Sequence, residues 1–161
     1  MNQQANFEIV CESPLGVELN KEDCKVLAGV IETQTLKDGD ILIKEGGTDD
    51  SLHVVISGRL AVTRDVGGGD YVTLHVLNPG DFAGAMGFVD GGERSATLRA
   101  LCDTDVYTLH RAAFESLVAT HPALVYQVMR SIIRSVHRTV LRMNQQFVEL
   151  QNYVTKEHGR Y

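Results

Sequence analysis

Glycine recurs about every ten residues through the middle of this chain, at 39, 46 and 47, 58, 67 to 69, 80, and 91 and 92. Between these positions lie short runs rich in Val, Ile, Leu and Thr: ILIK, LHVVIS, RLAVTR, YVTLHVL, SATLRA and DVYTLH. Such runs are too short to be amphipathic helices and are bounded by turn residues. The pattern therefore predicts an antiparallel sandwich or barrel over about 35–110. The triple glycine at 67–69 predicts a hairpin between RLAVTR and YVTLHVL, because glycine takes positive φ without steric cost.

Helical patterns flank this region. From Asn20, the segment NKEDCKVLAGVIE places an acidic residue three positions after a polar N-cap and apolar residues at 26, 27, 30 and 31, which predicts a short amphipathic helix. Two C-terminal helices are expected over about 111–155. RAAFESLVATHP predicts a short one that stops near Pro122, since proline drives the preceding residue out of helical geometry. From Ala123 onward, apolar positions 125, 129, 132, 136, 140, 143, 147, 150 and 154 step by threes and fours. A helix this long exceeds what one small β-domain covers. Its near-heptad seam, with one four-four stutter around Val136, predicts either pairing with the same helix of a second copy or packing back along its own sheet.

A length of 161 residues with 43% apolar content suits one domain spanning 1–161. The polar, acidic N-terminus and the lack of a long apolar run predict a cytoplasmic chain with no membrane partner. Cys11, Cys24 and Cys102 are odd in number and lack C-x-x-C spacing, which predicts reduced thiols and no zinc site. His53 and His75 alternate with apolar residues and read as strand positions, so no metal is expected. Residues 1–121 carry nine Lys/Arg against nineteen Asp/Glu, net −10, whereas 122–161 carry six against two, net +4, within a total of −6. An acidic body repels nucleic acid over most of its surface. On the basic tail, Arg130, Arg134, Arg138 and Arg142 form one ridge. It is either the solvated face of a coiled coil or is turned to an acidic surface, such as the body of its own or a neighbouring subunit. No G-x-S-x-G, H-E-x-x-H or Walker-type lysine loop is present, so the chain is expected not to be an enzyme.

The segment GDFAGAMGFVDGGERSATLRA, Gly80 to Ala100, holds five glycines and an arginine. Holding a phosphate without a metal requires inward-pointing N–H groups, small residues and a guanidinium fork that matches the anionic oxygens. Gly84, Ala85, Met86 and Gly87 are placed to begin such a cradle at a helix N-terminus, with Arg94 as the fork and Ser95 as a hydroxyl donor. The other outcome for Arg94 is an ion pair with Glu93 or a loop carboxylate.

The order of these elements, with Gly39-Asp40, Glu45-Gly46, Ile56-Ser57-Gly58, Leu77, Pro79-Gly80-Asp81-Phe82, Gly84 and Arg94-Ser95-Ala96-Thr97, resembles the cyclic nucleotide-binding domain of the catabolite activator protein family. The resemblance covers about residues 15–150. It implies a mainly β fold with flanking helices: a jelly-roll-like β-roll followed by a long C-terminal dimerisation helix. It also implies cAMP or another cyclic nucleotide as ligand, with no resident cofactor and with the cyclic phosphate on Arg94 and Ser95. Where the family has a glutamate for the ribose 2′-hydroxyl this chain has Ala85. The family's adenine-contacting threonine matches Thr139, which reads equally as a β-branched seam residue, and the adjacent serine is replaced by Val140. With the chain ending at Tyr161, no helix-turn-helix is expected. The resemblance thus implies a stand-alone sensor that signals to a protein partner as yet unidentified rather than to DNA. The rival expectation is a ligand-independent dimeric scaffold whose pocket is degenerate at Ala85 and filled by Phe88 and Met86.

Overall fold

The computed structural model describes residues 3–158. Asn6 and Asn20 start two N-terminal helices, α1 (Phe7–Glu12) and α2 (Lys21–Ala28). Each asparagine side chain accepts a first-turn N–H, from Glu8 at 2.9 Å and from Asp23 at 2.8 Å, satisfying amides that have no partner within the helix. The second is the helix expected from Asn20, but it stops at Ala28. Ile31, expected on its apolar face, opens a strand instead.

Cys11 and Cys24 are disulfide-bonded, with their Cα atoms 5.5 Å apart, and Cys102 is free. The expectation of three reduced thiols is corrected. The pairing arises because α1 and α2 pack together, a tertiary fact that a thirteen-residue spacing does not carry.

Every one of the six apolar runs is a strand. With β1 (Gln3–Gln4), β2 (Ile31–Leu36) and β7 (Phe82–Ala83), the runs β3 (Ile41–Ile43), β4 (Leu52–Ser57), β5 (Leu60–Gly67), β6 (Asp70–Leu77), β8 (Thr97–Ala100) and β9 (Thr104–Leu109) make two antiparallel sheets, ordered β1-β2-β9-β4-β7 and β3-β8-β5-β6. The roll therefore begins at Ile31, a few residues before the expected start. Its polar-rich opening IETQTL pairs along its whole length with β9, which supplies the order its composition does not suggest. Gly67, Gly68 and Gly69, at φ of 93°, 69° and 86°, turn the β5–β6 hairpin as expected.

In the first sheet β4 and β9 are covered on both faces, so most of their residues are buried without alternation, whereas β2 is buried only at its ends. Leu52 and Val54 of β4 and Tyr107 and Leu109 of β9 pack toward the helices with Val10, Leu27, Leu124, Val128 and Ile132. Val55 and Val106 face the interior of the roll with Leu60, Val62, Leu77 and Leu98. By the period of two, His53 and Thr108 share that interior side.

A short helix, α3 (Ala85–Asp90), lies in the glycine-rich loop, and after β9 come α4 (Arg111–Glu115) and α5 (Pro122–His158). Pro122 is the first residue of α5, a position where a missing N–H costs nothing. The 37 residues of α5 reach about 55 Å at 1.5 Å per residue. Only its first third is anchored: Leu124, Val128 and Ile132 are buried, one position away from the expected 125 and 129, which are partly buried. Beyond Thr139 every described side chain is exposed. Among the described residues no helix is long and apolar enough to cross a membrane.

Candidate functional site

Gly84 caps α3 with φ 78° and ψ 18°, a left-handed conformation that glycine adopts without penalty. It lets the chain turn from β7 straight into α3, leaving the first-turn amides of that helix without intrahelical partners. On the other side of the loop, Arg94 is pinned by its own backbone: its N–H donates to Gly47 O and its carbonyl accepts from Gly46 N–H, both at 2.8 Å. Thus anchored, its side chain runs inward beneath α3 and is 4% exposed.

Three groups of the protein meet the guanidinium. Nη1 donates to Gly84 O at 2.7 Å, and Nη2 donates to Ser51 O at 2.6 Å and to Asp49 Oδ2 at 3.1 Å. Nε is buried without a hydrogen-bond partner. The ion pair with a loop carboxylate, one of the two outcomes expected for Arg94, is present, and the guanidinium is turned inward. That carboxylate is Asp49, not Glu93. Asp49 carried no signal in the sequence, because it lies 45 positions from Arg94 and meets it only through the fold.

Asp49 sits at a junction. Its Oδ1 accepts the Ser51 N–H at 2.9 Å, and its Oδ2 is 3.9 Å from His53 Nε2. His53 first, and then the Ser51 donors and Arg94, hold the Asp49 carboxyl well below the usual carboxylate range, against the opposing effect of partial burial. Burial pushes the His53 imidazole down, with Arg94 and His110 adding to the effect and Asp49 opposing it. His53 Nδ1 lies 3.0 Å from Thr108 Oγ1, and Ser51 Oγ lies 2.8 Å from His110 Nδ1.

The remaining expected site residues are spread around this centre. Ala85 is half-buried at the start of α3, against the helix-side core. Met86 is 61% exposed, and Ser95 is exposed beside Arg94. Thr139 is half-buried on α5, and its hydroxyl donates to Ser135 O at 3.2 Å on its own helix. The fold therefore brings Gly84, Ala85 and Arg94 together; Met86, Ser95 and Thr139 make no hydrogen bond to that cluster. Phe88, expected as a pocket filler in the rival reading, lies instead in the helix-side core against Phe114, ring centroids 5.6 Å apart. Among the described residues no group of three His, Cys, Asp or Glu side chains could hold a metal ion.

Two members of the arginine ridge, Arg134 and Arg138, face acidic residues of the body. Arg134 forms an ion pair with Glu18, and Arg134 and Arg138 line a cleft of about 580 Å³ shared with Glu12, Glu18 and Asp81. Burial, and after it the Arg142 charge, push the His75 imidazole on β6 down. Arg94 does not line this cleft.

Comparison with known proteins gives a consistent picture. The family described as "Cyclic nucleotide-binding domain" matches residues 33–121. A cyclic AMP receptor protein of Thermus thermophilus is 28% identical over 143 residues, covering 88% of this chain and 66% of that protein. A cAMP-dependent protein kinase regulatory subunit of Dictyostelium discoideum is 28% identical over 102 residues, covering 62% of this chain and 31% of that protein. This chain thus spans less than two thirds of the length of either relative. Among solved structures, a cyclic nucleotide-binding domain from Methylobacillus flagellatus superposes with a TM-score of 0.81 at 22% identity, covering 89% of this chain and 83% of that one.

Proposed function

Because this chain belongs to the cyclic nucleotide-binding domain family, we propose that it is a regulatory module that binds a cyclic nucleotide such as cAMP through its phosphate and passes its binding state to a protein partner. The observation that carries this reading is the inward guanidinium of Arg94, seated under a glycine-capped turn with Nε unused. A phosphate entering there meets a planar fork, the free first-turn amides of α3 and the exposed Ser95 hydroxyl. Its charge is best matched where Asp49, half-exposed and displaceable, now sits.

Signal transmission follows the packing. A shift of α3 bears on Phe88, whose ring packs on Phe114, and both belong to the core that holds Leu124, Val128 and Ile132 of α5. Ligand binding biases the angle of α5 by as much as the ligand's differential affinity for the two positions. Farther along, Val140, Met143, Phe147, Leu150 and Val154 are exposed at alternating spacings of three and four. That is the seam of a two-stranded coiled coil, with Val, Phe and Val at one position of the heptad and Met and Leu at the other. Homodimerisation through α5 is the partner reading it supports.

Titration calorimetry with cAMP and cGMP tests the ligand. Saturable heat with one of them supports the module, and absence of heat and of thermal stabilisation at about millimolar ligand, a level that would register even weak sites, refutes it for these nucleotides. Two observations favour the scaffold reading: Asp49 already supplies Arg94 with an internal anion, and Ala85 offers no acceptor to a ribose hydroxyl. Under that reading, α5-mediated dimerisation persists and neither nucleotide binds.

A further inference from the structure

Among the described residues, the Asp49 carboxylate is the group that lies against both Arg94 and His53, with Oδ2 at 3.1 Å from Arg94 Nη2 and 3.9 Å from His53 Nε2. The longer separation is beyond hydrogen-bond reach, and His53 Nε2 has no other partner although the residue is 3% exposed. A buried ring nitrogen without a partner is costly. His53 therefore holds an unfilled position next to a carboxylate that is committed elsewhere. The charged and titratable groups facing its ring are Asp49 from the loop before β4, Arg94 from the loop before β8, and His110 at the start of α4, which itself stands 3.6 Å from Glu32 on β2. Opposite Asp49, the Thr108 hydroxyl on β9 reaches Nδ1, and a hydroxyl accepts as readily as it donates.

We infer that Asp49 is an internal anion which a ligand phosphate displaces from Arg94, and that His53 receives the displaced carboxylate as an imidazolium, so that ligand binding takes up a proton. The inference rests on the reading of Arg94 as the phosphate-binding residue. Phosphate and carboxylate repel at a shared Nη2, and His53 Nε2, 3.9 Å from Oδ2 and without a partner, is within reach of a small movement of the carboxylate. Once the phosphate offsets the charge of Arg94, a cation that disfavours the imidazolium is neutralised. The incoming proton settles on Nδ1 and is donated to Thr108 Oγ1. Affinity for the anion then rises as pH falls, between the ligand-free and ligand-bound titration points of His53.

The test has a ligand arm and a ligand-free arm. Calorimetry of the full chain with cAMP in PIPES and in Tris, near neutral pH, is expected to give binding heats that differ by the buffer ionisation heat times an uptake approaching one proton per site. In His53→Gln the difference is lost. Equal heats in the two buffers would overturn the proposal. If cAMP gives no heat in either buffer, the ligand reading has failed, and the relay is decided without ligand by the NMR titration of the His53 ring. Arg94→Gln frees Asp49, and the His53 pKa is expected to rise by about one unit or more, with most of that rise gone in Arg94→Gln/Asp49→Asn. Equal titration in the single and double variants refutes the relay. Asp49→Asn alone changes a half-exposed loop side chain and does not depend on Arg94 variants folding; it is expected to lower the His53 pKa by about one unit, and an unchanged titration likewise overturns the proposal.

Discussion

The Gly87 backbone rests directly on the Arg94 guanidinium: a β-carbon there would stand 2.8 Å from Cζ and collide with Nη1. Gly87 has no positive φ, so an alanine is penalised through this contact and not through the backbone. Alanine gains about 1 kcal/mol in helix propensity, whereas overpacking a filled site costs about 1–3 kcal/mol. Gly87→Ala is therefore expected to be destabilising in denaturant titration and to weaken anion binding. Gly92→Ala, with open space around its β-carbon, is the matched control and should be neutral.

The exposed seam of α5 predicts an assembly that depends on side chains far from the core. Phe147 and Leu150 are 61% and 60% exposed. Phe147→Asp or Leu150→Asp should turn a dimer into a monomer in sedimentation equilibrium while leaving the circular dichroism of the β-roll unchanged. A wild-type chain that is monomeric at high concentration would exclude the α5 interface.

Much of this architecture was legible because it rests on local rules. Glycine at 67–69 must turn, ILIK and DVYTLH must extend, and Gly84 must cap, wherever the rest of the chain lies. What was not legible is carried by contacts between distant positions. Ile31 continued a helical pattern, yet it opens a strand that pairs with Leu109 of β9 on one side and accepts the Ala5 N–H. Cys11 and Cys24 meet because two helices pack, and Asp49 reaches Arg94 because β4 delivers the preceding loop beneath α3. The arginine ridge showed its periodicity but not its direction, which the Arg134–Glu18 ion pair reveals at one of its members.

Acid sensitivity follows from the same cluster. The folded pKa of His53 lies below its unfolded value, so its contribution to stability is complete above about pH 6.5 and is lost as pH falls below that point. His75 adds an effect of the same sign. Asp49, also depressed, contributes stability above about pH 4 that is lost as the solution becomes more acidic. Denaturation midpoints should fall from pH 7 to pH 5, and His53→Gln should flatten that fall; an unchanged pH profile in the variant would count against a buried neutral imidazole.

The disulfide closes a short loop between α1 and α2. A loop of this length stabilises a fold by about 3 kcal/mol in the chain-entropy account. A reducing agent, or Cys11→Ser, should lower the melting temperature measurably. Because Glu18 lies inside that loop and pairs with Arg134, hydrogen exchange around Arg134 in α5 should rise in parallel.

Ala85 bears on ligand choice. With no acceptor at this position, cAMP and 2′-deoxy-cAMP should bind within a few-fold of each other. Ala85→Glu should favour the ribose form by about 10- to 100-fold, the value of pairing one buried hydroxyl. Competition binding with the two nucleotides reads this directly.

The Nε–H of Arg94, buried and unpartnered, gives the central claim an atomic probe. In ¹H–¹⁵N spectra, assigned by its loss in Arg94→Lys, this resonance should move saturably as cAMP is added, in step with the calorimetric isotherm. A resonance that stays fixed while the nucleotide saturates the protein would place the phosphate elsewhere and contradict the account.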